Sequence, residues 1–176
     1  MKFPRIFLFA NPVTSDGNNY RGDISEEEAF LWFDEALVHV RAGSGGAGSN
    51  AFKFGKARQH VAPSGGSGGN GGSVVLTVDP SFNTLLGFRG RSNHRAQNGF
   101  DGELEFANGM SGENYYLAVP KGTVVRDNST GDLLGELTQV GESLVVAKGG
   151  LGGKGNAALR TKGEKSVCTP PTGGER

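Results

Sequence analysis

Residues Ser64–Gly72 read Ser-Gly-Gly-Ser-Gly-Gly-Asn-Gly-Gly, an uninterrupted series of triplets with two glycines in each. The same triplet returns at Gly149–Gly155 as Gly-Gly-Leu-Gly-Gly-Lys-Gly, and a shorter form, Gly-Ser-Gly-Gly-Ala-Gly, occupies Gly43–Gly48. A period of three matches neither the α-helix nor the β-strand. It matches the polyproline II helix, which has three residues per turn and no internal hydrogen bonds.

Flexible Gly/Ser linkers are the other interpretation of these three blocks. Each block, however, is flanked by apolar, β-branched segments, and distant blocks share one period, which independent linkers have no reason to do. Where polyproline II helices pack side by side, the inward positions must be glycine because a Cβ would hold the backbones apart. The predicted structural glycines are Gly43, Gly45, Gly46, Gly48, Gly65, Gly66, Gly68, Gly69, Gly71, Gly72, Gly149, Gly150, Gly152, Gly153 and Gly155.

The composition excludes several classes of protein. Glycine makes up 31 of 176 residues, more than double its usual share of about 7%, but with 7 prolines and interrupted blocks the chain is not collagen. The single Cys168 excludes an internal disulfide and predicts a reducing, intracellular compartment. No apolar run is long enough for a membrane span, so we expect no membrane contact. Residues 36–176 carry 15 basic and 11 acidic residues, which is compatible with an RNA-facing surface.

The remaining pattern along the chain is mostly that of short strands. Residues 1–33 form an N-terminal extension, in which a capping box at Ser25-Glu26-Glu27-Glu28 predicts a short helix over 25–33, although the aromatic run there equally suits a strand. From Gly99 to Gly112 the sequence is loop-rich and the triplet period is lost. Alternating or β-branched runs predict strands at 37–41, 73–79, 115–119, 122–127, 132–137 and 143–148, with 122–137 a hairpin. The expected fold is mainly β, a small barrel or sandwich with the glycine-rich helices at one end.

We find no catalytic constellation in the sequence. The pattern Gly-x-Gly-x-x-Gly occurs in all three glycine blocks, so it reflects the triplet rather than a dinucleotide site. The two Gly-Lys pairs are followed by Ala57 and Gly155 rather than by the Ser or Thr of a P-loop. We therefore predict no catalytic residue, no metal ligand and no cofactor within this chain.

Several motifs in a fixed order limit the families to which the chain can be compared. They are Phe33–Ala36, Val40–Gly48, Gly65–Gly72, Asn83–Arg89, Val119–Asp127 and Val145–Ala157. Together they resemble the N-terminal domain of the Obg family of ribosome-associated P-loop GTPases, over about four-fifths of the chain.

The resemblance implies an Obg domain over 34–162, with an eight-stranded β-barrel that carries a bundle of polyproline II helices, and a linker over 163–176. In the family, a following GTPase domain, absent from this chain, binds GTP and Mg²⁺. The implied partners of this monomeric domain are the large ribosomal subunit and its RNA, in ribosome biogenesis. The sequence leaves open whether the chain is a fragment or a stand-alone form, and whether it acts in cytoplasm, plastid or mitochondrion.

Basic residues that flank the glycine blocks are the predicted contacts with ribosomal RNA. They are Lys53, Lys56, Arg58, Arg89, Arg91, Arg95, Lys154 and Arg160. The chain departs from the family pattern where Phe54–Arg58 replaces Arg-Arg-Glu-Lys and where Ser67 and Asn70 replace acids, and Gly102–Asn108 is unusually acidic. A protein-interaction or regulatory module without RNA contact is the alternative function.

Overall fold

The computed structural model describes residues 5–10, 34–54 and 61–160. They fall into two compact units. The strand unit comprises the described residues of 1–40, 75–94 and 116–146, and the glycine unit comprises those of 41–74, 95–115 and 147–160. Among the described residues, no helix is both long enough and apolar enough to span a membrane.

Strands are the main secondary structure of the described residues. The strands are β1 Arg5–Ala10, β2 Asp34–Arg41, β3 Phe52–Phe54, β4 Val61–Pro63, β5 Val74–Val78, β6 Asn93–Arg95, β7 Tyr115–Val119, β8 Thr123–Asp127, β9 Leu133–Leu137 and β10 Ser143–Ala147. Two five-residue helices accompany them, α1 Leu86–Gly90 and α2 Asn156–Arg160. The prediction of a mainly β fold is confirmed.

A five-stranded sheet in the order β6-β2-β1-β8-β9 has β1 at its centre, antiparallel to β2 and to β8. The alternation in β2 explains the packing, since Ala36 and Val38 are buried whereas Leu37 between them is exposed. The side chain of Leu8 is buried and lies in register with both Ala36 and Val125. Apolar side chains that alternate along neighbouring strands therefore build one face of this sheet into a core.

Arg5–Ala10 form β1, a strand for which the sequence pattern predicts no regular element. The run from Ile6 to Phe9 contains four apolar residues in succession, without the polar alternation that marks a half-buried strand. A run this short cannot be assigned to a strand or to an isolated apolar patch by its periodicity. The helix predicted over 25–33 and the linker predicted over 163–176 lie outside the described residues.

The predicted hairpin is confirmed as β8 and β9, which pair antiparallel with a bulge between Val125 and Arg126. In its turn, the Asp127 carboxylate accepts hydrogen bonds from the hydroxyl and the N–H of Ser129, and these bonds lower the pKa of Asp127. A second sheet has the order β10-β5-β7, and β3 pairs with β4 alone. The described strands thus form three sheets, among which no closed barrel is found.

Candidate nucleic-acid interface

The glycine unit contains five extended segments that are neither helix nor strand. We number them in chain order as the first (42–50), second (64–73), third (96–103), fourth (107–114) and fifth (148–155). The second segment exchanges backbone hydrogen bonds with each of the other four. It is therefore the centre of the bundle, and it is also the stretch with the longest run of glycine triplets.

Hydrogen bonds between the segments recur every third residue. The N–H groups of Gly43, Gly46 and Ser49 donate to the carbonyl oxygens of Gly72, Gly69 and Gly66, with N···O distances of 2.8, 2.8 and 2.9 Å. The residue numbers of the donors rise while those of the acceptors fall, so the first and second segments run in opposite directions. None of the described hydrogen bonds joins two residues of one segment. The segments therefore satisfy their backbones through one another.

Two glycines per triplet are needed where a segment is packed on two sides. A Cβ on Gly65, Gly68 or Gly71 would lie less than 3.0 Å from a carbonyl oxygen of the first segment. A Cβ on Gly66, Gly69 or Gly72 would lie as close to a carbonyl oxygen of the fourth segment. The second segment therefore has no room for a side chain on either face, and only every third residue can carry one.

The stretch from Gly99 to Gly112 belongs to the same bundle, contrary to the sequence analysis. Gly99 and Gly102 lie against the second segment, and Gly109 and Gly112 lie against the third. Each pair keeps the spacing of three, but each segment has one glycine per triplet because only one of its faces is crowded. The glycine period of three is therefore present in this stretch of the sequence, with one glycine per triplet instead of the two in the other blocks.

Non-glycine residues of the second and third segments supply hydrogen-bond acceptors. Asn70 Oδ1 accepts from the N–H of Gly152 at 2.9 Å, and Ser67 Oγ accepts from that of Gly155 at 3.2 Å. Ser67 and Asn70 thus both accept from the fifth segment without adding charge. Asn98 Oδ1 serves the first segment in the same way, accepting from Ser44 at 3.1 Å.

One buried side chain ties three parts of the bundle together. Asn156 is fully buried, and its Oδ1 accepts from the N–H of Gly65 at 2.8 Å. Its Nδ2 donates to Asn50 Oδ1 at 3.1 Å and to the carbonyl of Ala51 at 2.9 Å. A buried amide whose donor and acceptor both have partners stabilises the fold, whereas an unpaired one would destabilise it.

The predicted basic contacts are distributed over both units. Arg91 is exposed in the strand unit, and Arg95 and Lys154 are exposed in the glycine unit. Arg95 Nη2 lies 3.3 Å from Asn98 Oδ1. The backbones of Arg89 and Arg160 belong to α1 and α2, but their side chains lie outside the description, as do Lys56 and Arg58 altogether.

Lys53 differs from the other predicted contacts because it faces an acid. Its Nζ lies 3.5 Å from Glu105 Oε1, and both side chains are exposed. An exposed pair of this kind contributes little to stability. A phosphate that approached Lys53 would nevertheless have to compete with the Glu105 carboxylate and would meet its negative charge.

Lys148 is a further exposed basic residue of the glycine unit that is not among the predicted contacts. Lys148, Leu151 and Lys154 are all exposed and are spaced by three along the fifth segment, and we call them the basic ridge. At the rise of about 3.1 Å per residue of a polyproline II helix, its two lysines would be about 19 Å apart along the segment. The spacing of two triplets between Lys148 and Lys154 is visible in the sequence.

The turn between the third and fourth segments has the opposite character. No Lys or Arg occurs from residue 96 to residue 120. The N–H of Glu103 donates to the carbonyl of Ala107 at 2.9 Å and closes the turn. Within it Glu105 and Phe106 have φ of 56° and 66°, a left-handed conformation that costs about 1–2 kcal/mol for a residue with a Cβ. The side chains of Leu104 and Phe106 are nevertheless exposed.

Comparison with known proteins gives these features a family. The GTP1/OBG family matches residues 33–175. The chain belongs to the GTP1/OBG family. Its resemblance to an Obg N-terminal domain is thereby confirmed.

Individual relatives agree with this assignment. The chain is 45% identical over 130 residues to the GTPase Obg of Persephonella marina, 48% identical over 128 residues to that of Anaeromyxobacter sp. strain Fw109-5, and 46% identical over 128 residues to that of Myxococcus xanthus. These alignments cover 74%, 73% and 73% of this chain but 38%, 36% and 26% of the three relatives. The chain thus matches about a third of the length of the curated relatives. Within the part that the structure describes, no group of three or more His, Cys, Asp or Glu side chains could hold a metal ion.

Proposed function

We propose that this Obg domain docks on ribosomal RNA of the large subunit and acts in ribosome assembly. The observation that carries the proposal is the bundle itself, in which five segments are held by hydrogen bonds at every third residue. A scaffold without room for side-chain rearrangement presents its outward residues in fixed positions. Fixed positions reduce the ordering cost of binding.

The basic ridge is the part of the glycine unit best suited to phosphates. Lys148 and Lys154 project from one rigid segment, and Arg95 adds a further exposed cation in the same unit. Lysine and arginine contacts with phosphate release counterions, so they give affinity without sequence specificity. Predicted contacts from Lys56, Arg58, Arg89, Arg91 and Arg160 would add to this term.

Binding to purified large ribosomal subunits, measured by co-sedimentation over a salt series, tests the proposal. We expect affinity to fall steeply between about 50 and about 200 mM salt. Lys148→Ala with Lys154→Ala should weaken binding at low salt and make the salt slope shallower by about one for each lost contact. The matched control is Lys121→Ala, an exposed lysine of the strand unit, which should leave both quantities unchanged.

Two results would contradict RNA docking. One is an affinity that stays constant over the salt series. The other is a complex that survives nuclease treatment with only protein partners retained, which would favour the protein-interaction module instead.

The finer architecture is also part of the proposal. We infer that the five segments are polyproline II helices, which is supported by hydrogen bonding every third residue between segments and by its absence within the described segments. The closure of the strand unit into an eight-stranded barrel stays a prediction from the resemblance. Backbone ¹³C shifts should give φ near about −75° and ψ near about +145° in the five segments, and values spread over several regions would contradict the inference.

GTP binding and hydrolysis, with Mg²⁺, we assign to a GTPase domain that follows the Obg domain in the full protein. This assignment is supported by the relatives, each of which is named a GTPase, and by the missing Ser or Thr after both Gly-Lys pairs. Phosphate release from GTP should stay at background with the 176-residue chain. Turnover above background would show a nucleotide site within it.

A further inference from the structure

The turn between the third and fourth segments carries a group of exposed apolar side chains. Phe100, Leu104, Phe106 and Met110 have exposed fractions of 53, 66, 60 and 74%, and we call these four residues the apolar tip. They come from two neighbouring segments and the turn that joins them. Exposed aromatic and methionine side chains grouped in this way are typical of protein-binding surfaces.

The two segments that carry the tip are in register. The N–H of Phe100 donates to the carbonyl of Met110 at 2.9 Å, and that of Glu103 donates to the carbonyl of Ala107 at the same distance. One triplet in the other direction, the N–H of Glu113 donates to Gln97 Oε1 at 3.0 Å. Phe100 and Met110 therefore form an apolar rung between a rung that contains Glu103 and a rung that contains Glu113.

The surroundings of the tip are acidic. Glu103, Glu105 and Glu113 are exposed, and we call them the acidic rim. Lys53, against Glu105, is the one cation that the described ion pairs bring to the rim. The rim therefore keeps a net negative charge, and an apolar centre within a charged border is the usual arrangement of a protein interface.

The charge of the rim discriminates between classes of partner. Phosphates of RNA and anionic lipid headgroups would be repelled by three carboxylates around the tip. A symmetric contact with the same face of a second copy would set like charges against each other. A basic polypeptide has the complementary charge and can also supply apolar side chains to the tip.

We propose that the apolar tip and the acidic rim bind a basic, amphipathic polypeptide segment of a partner protein. Phe100, Phe106 and Met110 would contact its apolar side chains, and the rim carboxylates would pair with its Lys or Arg residues. The proposal is independent of RNA docking because it does not use the basic ridge. Of the predicted RNA contacts it involves only Lys53, which pairs with the rim.

The backbone of the turn supports a binding role for Phe106. A residue with positive φ is usually Gly or Asn, because these tolerate the left-handed region. Here the position holds a phenylalanine whose side chain is mostly exposed, so little burial offsets the unfavourable conformation. A contact with a partner would supply the missing burial.

Fluorescence anisotropy with two labelled peptides tests the proposal. One is a short helical peptide of lysine and leucine, and the other has serine in place of leucine at equal charge. The lysine/leucine peptide should bind the 176-residue chain more tightly by about tenfold or more, because the tip adds apolar contacts to the charge pairing. Equal affinity of the two peptides would overturn the proposal.

Two variants separate the apolar contribution from the electrostatic one. Phe106→Asn with Met110→Gln should weaken the lysine/leucine peptide by about tenfold and leave the lysine/serine peptide almost unchanged. Glu103→Gln with Glu113→Gln should weaken both peptides. Asn suits the positive φ at position 106, so the apolar variant should fold, and the charge variant gives a separate test. The matched control is Leu133→Gln with Leu134→Gln, which removes exposed leucines of the strand unit.

The same variants also test whether something other than a basic polypeptide binds the apolar tip. Wild-type affinity in both tip variants would refute the proposal. Binding of an RNA hairpin that the tip variants abolish would make RNA the occupant, and self-association abolished by them in analytical ultracentrifugation would make it a second copy. Either result would also overturn the proposal.

Discussion

The two units of this protein are built in opposite ways. The strand unit buries large apolar side chains, including Leu8, Leu76 and Leu85. In the described part of the glycine unit, the buried apolar residues are no larger than Val74, and most of them are alanines. There, backbone lies against backbone and hydrogen bonds recur at every third residue.

The difference shows that one methyl group can have contrary effects in a single chain. In the strand unit, burial stabilises by about 25 cal/mol per Å² of apolar surface, and neighbouring side chains can adjust to a changed shape. In the glycine unit the neighbours are carbonyl groups fixed by their own hydrogen bonds. A side chain added there cannot be accommodated by a change of rotamer.

The largest effect should come from Gly69→Ala. The new Cβ would lie less than 3.0 Å from the carbonyl of Met110, and separating the segments would break hydrogen bonds on both sides. We expect the free energy of unfolding, measured in urea, to fall by more than about 3 kcal/mol, and Gly69→Val should cost at least as much.

The control for Gly69→Ala is Gly87→Ala in α1. A Cβ at Gly87 would have no heavy atom within 4 Å, and alanine is the better helix former, so a gain of about 0.5 kcal/mol is expected. Equal effects at positions 69 and 87 would contradict the packed bundle.

Leu8→Ala tests the side-chain core of the strand unit. Leu8 is buried at the centre of the five-stranded sheet, and the change should cost about 3 kcal/mol through lost burial and the cavity left behind. Leu8→Met, which keeps the volume, should cost less than about 1.5 kcal/mol in the same denaturation assay. If both changes cost the same, adaptable packing would not be what distinguishes this unit.

Asn156→Ala should have an intermediate effect. The change leaves the buried N–H of Gly65 without this partner and removes one of the two donors to the part-buried carbonyl of Ala51, so a loss of about 2 kcal/mol is expected. Thermal unfolding would measure it. Asn50→Ala removes one exposed partner of the same amide and should cost clearly less, and a reversed order would show that Asn156 does not hold the bundle.

The smallest expected effect is the pH dependence that His94 gives to the stability of the strand unit. Burial lowers the pKa of His94 from its ordinary value of 6.5, with the Arg91 charge acting in the same direction and a hydrogen bond to the Arg91 carbonyl opposing it. Because the unfolded chain protonates this imidazole first, stability should be complete above about pH 6.5, fall below it, and level off once the folded protein is protonated.

Urea denaturation from about pH 7.5 to about pH 5 would measure the effect of His94. His94→Gln removes the titrating group, so the difference between the two curves isolates its contribution. Curves that run parallel over this range would show that the burial of His94 has no energetic consequence.

The sequence was informative about strands and about crowding, and less so about partners. The alternation in β2 and the turn residues of the β8–β9 hairpin led directly to the observed elements. The central strand β1 was missed because an apolar run of four residues carries no periodicity. Gly99–Gly112 was also missed, because a segment crowded on one side needs glycine only once in three residues.

The predicted interface shows the same limit. The sequence was sufficient to predict that Arg95 and Lys154 are charged and exposed. It could not predict that Glu105 lies against Lys53, because that position depends on a turn that brings residues 52 apart in sequence within 3.5 Å. Likewise, the acceptor roles of Ser67 and Asn70 depend on the N–H groups of the fifth segment, which lie more than 80 residues away in the sequence.

By itself, the sequence determined that backbones must meet closely at the glycine triplets, because a residue without a side chain repeated every third position serves little other purpose. Only the tertiary structure decided which backbones meet, since glycine carries no chemical mark of its neighbour. Hydrogen bonds between distant segments select the partners, and they also decide which outward side chains form the basic ridge and which form the apolar tip.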